Sequence, residues 1–234
     1  MLVLSVMNQK GGCGKSVLTV LLANTLSVDF GLKVMIIEVD EQQTILDVRK
    51  MDREYETDFP YPIEVMPIWV DMGKKKEKVL QDFLDKKFEE DEYDLILVDI
   101  PGRTDDKMIL HALALMDAFL IPLVSDTADR NATLNFCITA KQMQIMNQEI
   151  GKELDIWGVR NRLRNRYEEK DFEAFCNQID LPLFDSSLRE LVAYSRFNTY
   201  EGFVSNPVHK KDVREEVQAF AKEFINRFDL PVYA

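Results

Sequence analysis

Met1-Leu-Val-Leu-Ser-Val-Met-Asn-Gln-Lys10-Gly11-Gly12-Cys13-Gly14-Lys15-Ser16-Val17-Leu-Thr-Val-Leu-Leu-Ala23 decides the fold. An apolar run of the length of a buried strand breaks into a glycine-rich turn and then into residues at helical spacing, so a loop is strung between a strand and a helix. A phosphate-binding loop requires that context. Its glycines let the backbone fold closely around an anion, with successive N–H groups turned inward and the positive end of the following helix behind them. In such a loop Lys15 reaches the β- and γ-phosphates of a nucleotide and the Ser16 hydroxyl ligates Mg²⁺, while Gly11, Gly12, Cys13, Gly14 and Val17 complete the cradle.

The loop departs from the common G-x-x-x-x-G-K-[ST] pattern. It lacks the first glycine and carries a second lysine, reading Asn8-Gln9-Lys10-Gly11-Gly12-Cys13-Gly14-Lys15-Ser16. This form resembles the deviant Walker A box of the ParA/MinD family of ATPases, down to the Asn-Gln before it, with a looser likeness to ParA-type proteins of conjugative elements. The resemblance implies ATP and Mg²⁺ as cofactors and an ATP-dependent homodimer, in which Lys10 reaches across to the partner's nucleotide. Cys13 stands where the family commonly has valine. Two accounts of it stand: a small apolar substitute, which is the simpler, and a thiol whose pKa a helix N-terminus could lower, so that oxidation would obstruct the phosphate.

With 234 residues, 46% hydrophobic and 30% charged, the chain has the size of one α/β domain spanning 1–234. No uncharged apolar run approaches the length of a membrane span, and the N-terminal stretch has neither a basic leader nor a cleavage site, so a cytoplasmic protein is expected. Cys13, Cys137 and Cys176 form no C-x-x-C pair, and His111 and His209 stand far apart, which argues against a disulfide framework, a zinc site or an iron–sulfur carrier. A net charge of −12 excludes a surface given over wholly to nucleic acid, though not a local basic patch.

Outward from the loop, a helix is expected over Ser16–Val28 with Gly31 as its C-cap, then a buried strand at Lys33–Asp40. Strand, loop, helix and strand make a βαβ unit and hence a parallel sheet. Further strands are read at Ile63–Trp69 (an edge or an end, from Pro67), Asp94–Asp99, Ala118–Val124, Asp155–Arg160 and Leu181–Phe184. Helices are read at Ile45–Thr57, Lys74–Asp91, Asp105–Met116, Asp129–Ile150, Glu168–Ile179 and Lys211–Phe228. The cluster Lys74, Lys75, Lys76 and Lys78 is offset by nearby acids and reads as a solvated face. The expected fold class is α/β, a doubly wound, mostly parallel sheet of about seven strands with helices on both faces, of the P-loop NTPase kind, with ligands at the strand C-terminal ends.

An apolar strand ending in aspartate, Leu95-Ile-Leu-Val-Asp99, has the Walker B pattern, in which Asp99 holds Mg²⁺ through its water shell. Such an aspartate also serves as a helix N-cap, and its pairing with Lys15-Ser16 is what favours the metal role. Ile100 occupies a position where the family usually has a small hydroxyl residue. Glu38-Val39-Asp40-Glu41-Gln42 resembles the family's D-x-D-P-Q switch, with Glu38 for the first aspartate and Glu41 for proline. That match makes Asp40 the residue that orients the attacking water. Asn161, in Trp157-Gly-Val-Arg-Asn-Arg162, matches the asparagine whose amide pairs with the adenine edge; it equally suits a turn cap. Arg160, Arg162, Arg164 and Arg166 alternate, so an extended chain would project them on one side as a nonspecific DNA contact, or as a plain surface paired with Glu168 and Glu169.

The last helix lines up Val213, Val217, Phe220, Phe224, Ile225 and Phe228, and its polar side has no basic excess. Core or interface packing is therefore expected rather than a MinD-like membrane tail. The resemblance implies a slow, partner-stimulated ATPase switch in DNA partitioning or cargo positioning, with a ParB-like or cargo adaptor as activator. A P-loop metabolic ligase and a weakly hydrolysing ATP-binding scaffold are the alternatives.

Overall fold

The computed structural model describes every residue except 41, 67–77, 104–105, 125–126, 165, 191–193, 195–197 and 234, and the backbone alone of 127–129 and 166–167. The described elements are β1 (Leu2–Val6), α1 (Lys15–Asn24), β2 (Val34–Glu38), α2 (Thr44–Asp52), β3 (Ile63–Val65), α3 (Val79–Glu90), β4 (Leu95–Asp99), α4 (Lys107–Ala114), β5 (Ala118–Leu123), α5 (Thr127–Glu149), β6 (Asp155–Leu163), α6 (Arg166–Gln178), β7 (Leu183–Arg189) and α7 (Lys211–Arg227).

The strands form one sheet in the order β3-β2-β4-β1-β5-β6-β7, with every neighbouring pair parallel. Alternation along each strand divides the core in two. Leu4 and Val6 of β1 face a cluster built from α1 and α7, with Leu18, Leu22, Phe220 and Phe224, whereas Val3 packs with Leu84 of α3, Ile109 of α4, Phe136 of α5 and Phe172 of α6. Helices thus cover both faces, as the fold class requires. The chain winds first toward β3 and then, from β4, back past β1 toward β7. The crevice at the C-terminal end of β1 is therefore the topological switch point where ligands bind in such sheets.

Helix α1 runs on through a π-helical turn, Thr25–Asp29, and stops at Gly31, whose φ of 72° only glycine adopts readily. The N–H groups of Gly31 and Leu32 return to the Ser27 and Leu26 carbonyls, so the expected C-cap is present. Strand β3 is the sheet edge anticipated for its segment, though Pro67 itself, with Lys74, Lys75 and Lys76, lies outside the described residues. The stripe of α7 from Val213 to Ile225 is buried in the core, as its spacing predicts.

Two strands extend past their expected limits. Strand β6 continues to Leu163, and β7 starts at Leu183 and runs to Arg189 instead of ending at Phe184. The extra length is supported from the outside. Glu223 of α7 accepts the N–H groups of Asp185 and Ser186, both at 2.7 Å, and Glu216 accepts that of Arg189 at 2.8 Å. A rail of carboxylates on α7 thereby satisfies donors along the second sheet edge, which keeps them from pairing with another chain. Among the described residues no helix is long and apolar enough to cross a membrane.

Candidate nucleotide-binding site

The loop after β1 is held from below by Asn8. This buried side chain donates to the Pro122 carbonyl at 3.0 Å and the Thr133 hydroxyl at 2.9 Å, and accepts the Lys10 N–H at 3.2 Å. Gly12 and Gly14 turn with φ of 77° and 92°. A side chain at Gly14 would also meet the Asn161 amide nitrogen at 2.9 Å. The Lys15 ammonium donates to the Lys10 carbonyl at 3.1 Å, folded over its own loop. From the other side Gly102 closes in so tightly that a Cβ there would stand 2.7 Å from the Asn8 carbonyl oxygen and 2.8 Å from Lys15 Nζ. Only a glycine permits that approach.

Loop, switch and strand end converge on one cavity of about 610 Å³, lined by Gly11, Gly12, Gly14, Lys15, Ser16 and Val17 together with Asp40 and Asp99. Asp99 is buried. Its Oδ2 accepts the Ser16 hydroxyl at 2.8 Å, while Oδ1 has no partner. Burial pushes its pKa up to about 7, against the Ser16 hydrogen bond and with help from the neighbouring Glu38 carboxylate. Glu38 stands opposite Asp99 in the sheet register, fully buried. Its carboxylate accepts the Ile45 and Leu46 N–H groups at 2.8 and 2.9 Å and so caps the start of α2. Burial raises its pKa and these two bonds oppose the rise. Asp40 lines the cavity with Oδ1 on the Gln42 N–H at 3.0 Å; Glu41 lies outside the described residues. Ile100 lines the same cavity while contributing to the core, so this position offers packing where a hydroxyl is the family norm.

Asn161 is also at this end of the sheet, but its amide is turned to the loop. Nδ2 donates to the Cys13 carbonyl at 3.0 Å and Oδ1 accepts the Arg162 N–H at 3.1 Å. Lys10 is half-buried and stands just outside the cavity lining. Gln9, Gln42, Thr44, Pro101, Gly102, Arg103 and Arg162 complete the lining; Gln9 and Gln42 belong to the loop and switch segments, while no motif contains Thr44, Arg103 or, as a contact, Arg162. Arg162 directly follows Asn161, which the sequence does single out, whereas Arg103 has no such neighbour.

One expectation is overturned. The arginines do not share a face. Arg160 is buried, its guanidinium donating to the carbonyls of Phe184 at 2.9 Å and Asp185 at 2.5 Å and to Glu173 at 3.3 Å. Arg162 turns into the cavity with a φ of 56°, and Arg164 forks onto Glu190 at 2.5 and 3.2 Å. The side chain of Arg166 is outside the described set. The alternation fails because β6 departs from regular register against β7 between Gly158 and Leu163. For Cys13 the redox alternative falls and the simpler account, a small apolar substitute, fits. Its thiol is buried against the Lys10 carbonyl at 3.3 Å, and burial raises its pKa although the Lys15 charge pulls the other way.

Over residues 4–223 the sequence matches the CobQ/CobB/MinD/ParA nucleotide binding domain. The chain belongs to this family. Its ParA/MinD members are P-loop ATPases. Solved structures repeat the fold over the whole chain. A protein of Borrelia burgdorferi described as a plasmid partition protein, bound to AMPPNP, aligns with a TM-score of 0.66 at 19% identity, covering 97% of this chain and 98% of that one. A variant of Cyanothece McdA in complex with ATP gives 0.69 at 15% identity, covering 100% and 98%. The MinD cell division protein of Aquifex aeolicus gives 0.68 at 17% identity, covering 100% of both chains. No curated protein matches the sequence.

The residues present fit a magnesium ion. Among the described residues no group of three or more His, Cys, Asp or Glu side chains converges, so an all-protein cage is not on offer. What is on offer is one hydroxyl and one buried carboxylate with a free oxygen, beside a phosphate loop. Magnesium suits that donor set, because it keeps several waters and takes the rest of its shell from phosphate oxygens.

Proposed function

We propose that the chain, as one P-loop domain over 1–234, is an ATP-driven dimerisation switch of the partition or cargo-positioning kind. It closes as a homodimer on ATP and reopens after hydrolysis to ADP and phosphate. The observation that carries this reading is the meeting of Gly11 to Val17, Asp99 and Asp40 around one cavity. Lys10, which is not among the lining residues, is assigned in this reading to the partner's nucleotide.

In this reading the loop N–H groups and the N-terminus of α1 hold the phosphates, and Lys15 leaves the Lys10 carbonyl for the β- and γ-oxygens. Ser16 and Asp99, bonded to each other in this structure, hold magnesium, which neutralises charge on the phosphates. Asp40 orients the attacking water. Positioning and charge neutralisation account for most of phosphoryl transfer, so Asp40 need not be a strong base. Asn161 keeps one donor and one acceptor valence for the adenine edge beside the bonds it already makes. Ile100 in place of a hydroxyl favours slow turnover, which an adaptor or ParB-like partner would raise. The same residue supports the second reading, a weakly hydrolysing ATP-binding scaffold.

The test is size in solution for wild type and Asp40→Ala, with ATP–Mg²⁺ and with ADP, each with and without nonspecific DNA. The expected result is a dimer with ATP alone, held longer by Asp40→Ala. A chain that stays monomeric with ATP sinks the switch. A dimer indifferent to DNA at low salt moves the reading from partition to cargo positioning.

A further inference from the structure

We propose that Arg162 is a nucleotide contact, its guanidinium lying flat against the nucleoside end of the bound ATP; this rests on the reading of the cavity as an ATP site. Arg162 belongs to β6, yet its backbone is left-handed, with φ 56°. A non-glycine residue holds that conformation only at an energetic cost, so something other than strand geometry maintains it. The conformation has one visible result. It takes the side chain out of the strand's alternation and into the cavity, where Nε and Nη2 both come within 3.8 Å of the place a Cβ on Gly14 would occupy.

Among the described residues the guanidinium has no hydrogen bond or ion pair there, although its charge is felt by the Glu190 carboxylate that Arg164 holds. In a protein with 41 acidic residues, Arg160 and Arg164 on either side each hold a carboxylate, Glu173 and Glu190. Arg162, among the described residues, makes a hydrogen bond through its backbone N–H to Asn161 and no ion pair. A strained backbone that delivers an unpaired cation into a cavity matches a ligand contact better than a support for the fold.

Sheet order says which end of the ligand it meets. Asp99 and Asp40 come from β4 and from the end of β2, on one side of β1, and they mark the metal and the reactive phosphate. Arg162 comes from β6, two strands away on the other side. A nucleotide whose phosphates follow the loop therefore directs its sugar and base toward β6. Guanidinium is planar and weakly hydrated, and stacks on aromatic faces; lysine does not.

The experiment compares wild type, Arg162→Gly and Arg162→Lys by calorimetric titration with ATP, ADP and tripolyphosphate in Mg²⁺ buffer, and by melting without ligand. Glycine accepts the left-handed backbone, so Arg162→Gly should keep or raise the ligand-free Tm while losing roughly tenfold in affinity for both ATP and ADP. Tripolyphosphate binding should be unchanged, and Arg162→Lys should recover little. Unchanged ATP affinity in Arg162→Gly, a parallel loss of tripolyphosphate, full rescue by lysine, or a fall in ligand-free Tm would each overturn the proposal. Wild-type protein that binds no ATP at all would overturn both this inference and the nucleotide reading beneath it.

Discussion

Asp99 closes β4 with one carboxylate oxygen on the Ser16 hydroxyl and the other without a partner, whereas Arg160 in β6 commits both terminal nitrogens to Phe184, Asp185 and Glu173. Both side chains are ionisable, buried and near strand C-terminal ends. The difference runs through their surroundings. On the β2-β4-β1 side polar groups converge on a cavity and leave valences over: the Asp99 oxygen, the Lys15 ammonium on a mere loop carbonyl, Asp40 at the surface of the cavity. On the β6-β7 side most of them consume one another, although the buried Arg160 Nε has no partner among the described residues. Arg189 pairs with Glu216 and Asp212, Arg227 with Glu223 and Asp185 over the Trp157 ring, and the Tyr194 hydroxyl donates to Glu216. Spare capacity alone does not mark a ligand site, since Arg160 Nε and Arg214 Nε are also buried without a partner; what sets Asp99 apart is that its free oxygen stands in a residue lining the cavity beside the loop.

The strongest way to break that distinction is to remove a charge from each side and read binding and stability separately. Lys15→Ala should lower ATP affinity by about two orders of magnitude or more, measured by titration with a fluorescent ATP analogue, while shifting the ligand-free Tm little. Arg160→Leu should do the reverse. Losing the guanidinium leaves the buried Phe184 carbonyl and the part-buried Asp185 carbonyl short of a donor, a cost of about 3 kcal/mol, or a Tm lower by roughly 6–12 °C for a chain of this length. ATP affinity per folded molecule should hold. If Arg160→Leu melts like wild type but fails to bind DNA, Arg160 is a surface contact after all and the two sides are not different in kind.

What can be read from the sequence follows the same line. The loop, Asp99 and Asp40 are legible because each lies in a short segment whose chemistry is local: glycines, a lysine and a hydroxyl in fixed order, a carboxylate at the end of an apolar strand. Gly31 is legible as a helix stop for the same reason. The fate of Arg160 depends on Glu173, on the Phe184 and Asp185 carbonyls and on the turn of β7, none of which the local alternation of arginines encodes. Strand β7 looks short in the sequence because Asp185, Ser186 and Ser187 read as a polar loop; the carboxylates that stabilise it as a strand come from α7, 27 to 38 residues away. Arg162 carries no sign of its left-handed backbone, since no glycine or asparagine stands at that position. Cys13 is read rightly as a small apolar substitute, since in the structure desolvation outweighs the pull of the nearby charge on its thiol.

A smaller effect sharpens the account of Asp99. Its pKa in the folded chain, about 7, lies above the ordinary value of 3.8, so between these two pH values the folded state binds more protons than the unfolded one. Stability of the nucleotide-free protein should therefore decline from its Asp99 contribution as pH rises from about 4 to about 7, and level off above. Asp99→Asn removes that slope. Melting wild type and variant across roughly pH 4.5–7.5 in EDTA isolates the difference, and equal slopes would mean that Asp99 is hydrated rather than poised. ATP–Mg²⁺ should flatten the wild-type slope as well, since a cation favours the carboxylate.

The smallest effect is the most informative about the arginine series. Arg164 is two residues beyond Arg162 and makes a two-pronged contact with Glu190, yet its side chain is 64% exposed and that of Glu190 43%. An exposed pair gains little, because water solvates both charges when they part and holding two long side chains in one geometry opposes the attraction. Arg164→Ala should therefore shift Tm by no more than about 2 °C, and raising NaCl from about 0.1 to about 1 M should erase even that. Arg160→Leu loses the Phe184 and Asp185 carbonyls, which salt does not screen, besides the half-exposed Glu173 pair, which it does, so it should keep most of its deficit at both concentrations. Two arginines of one short stretch of chain would then differ in both size of effect and salt response, for the single reason that one is enclosed and the other is not. A salt-resistant loss at Arg164 comparable to that at Arg160 would show that the β6 end is a continuous buried network, and would extend the structural side of the molecule right up to the cavity wall at Arg162.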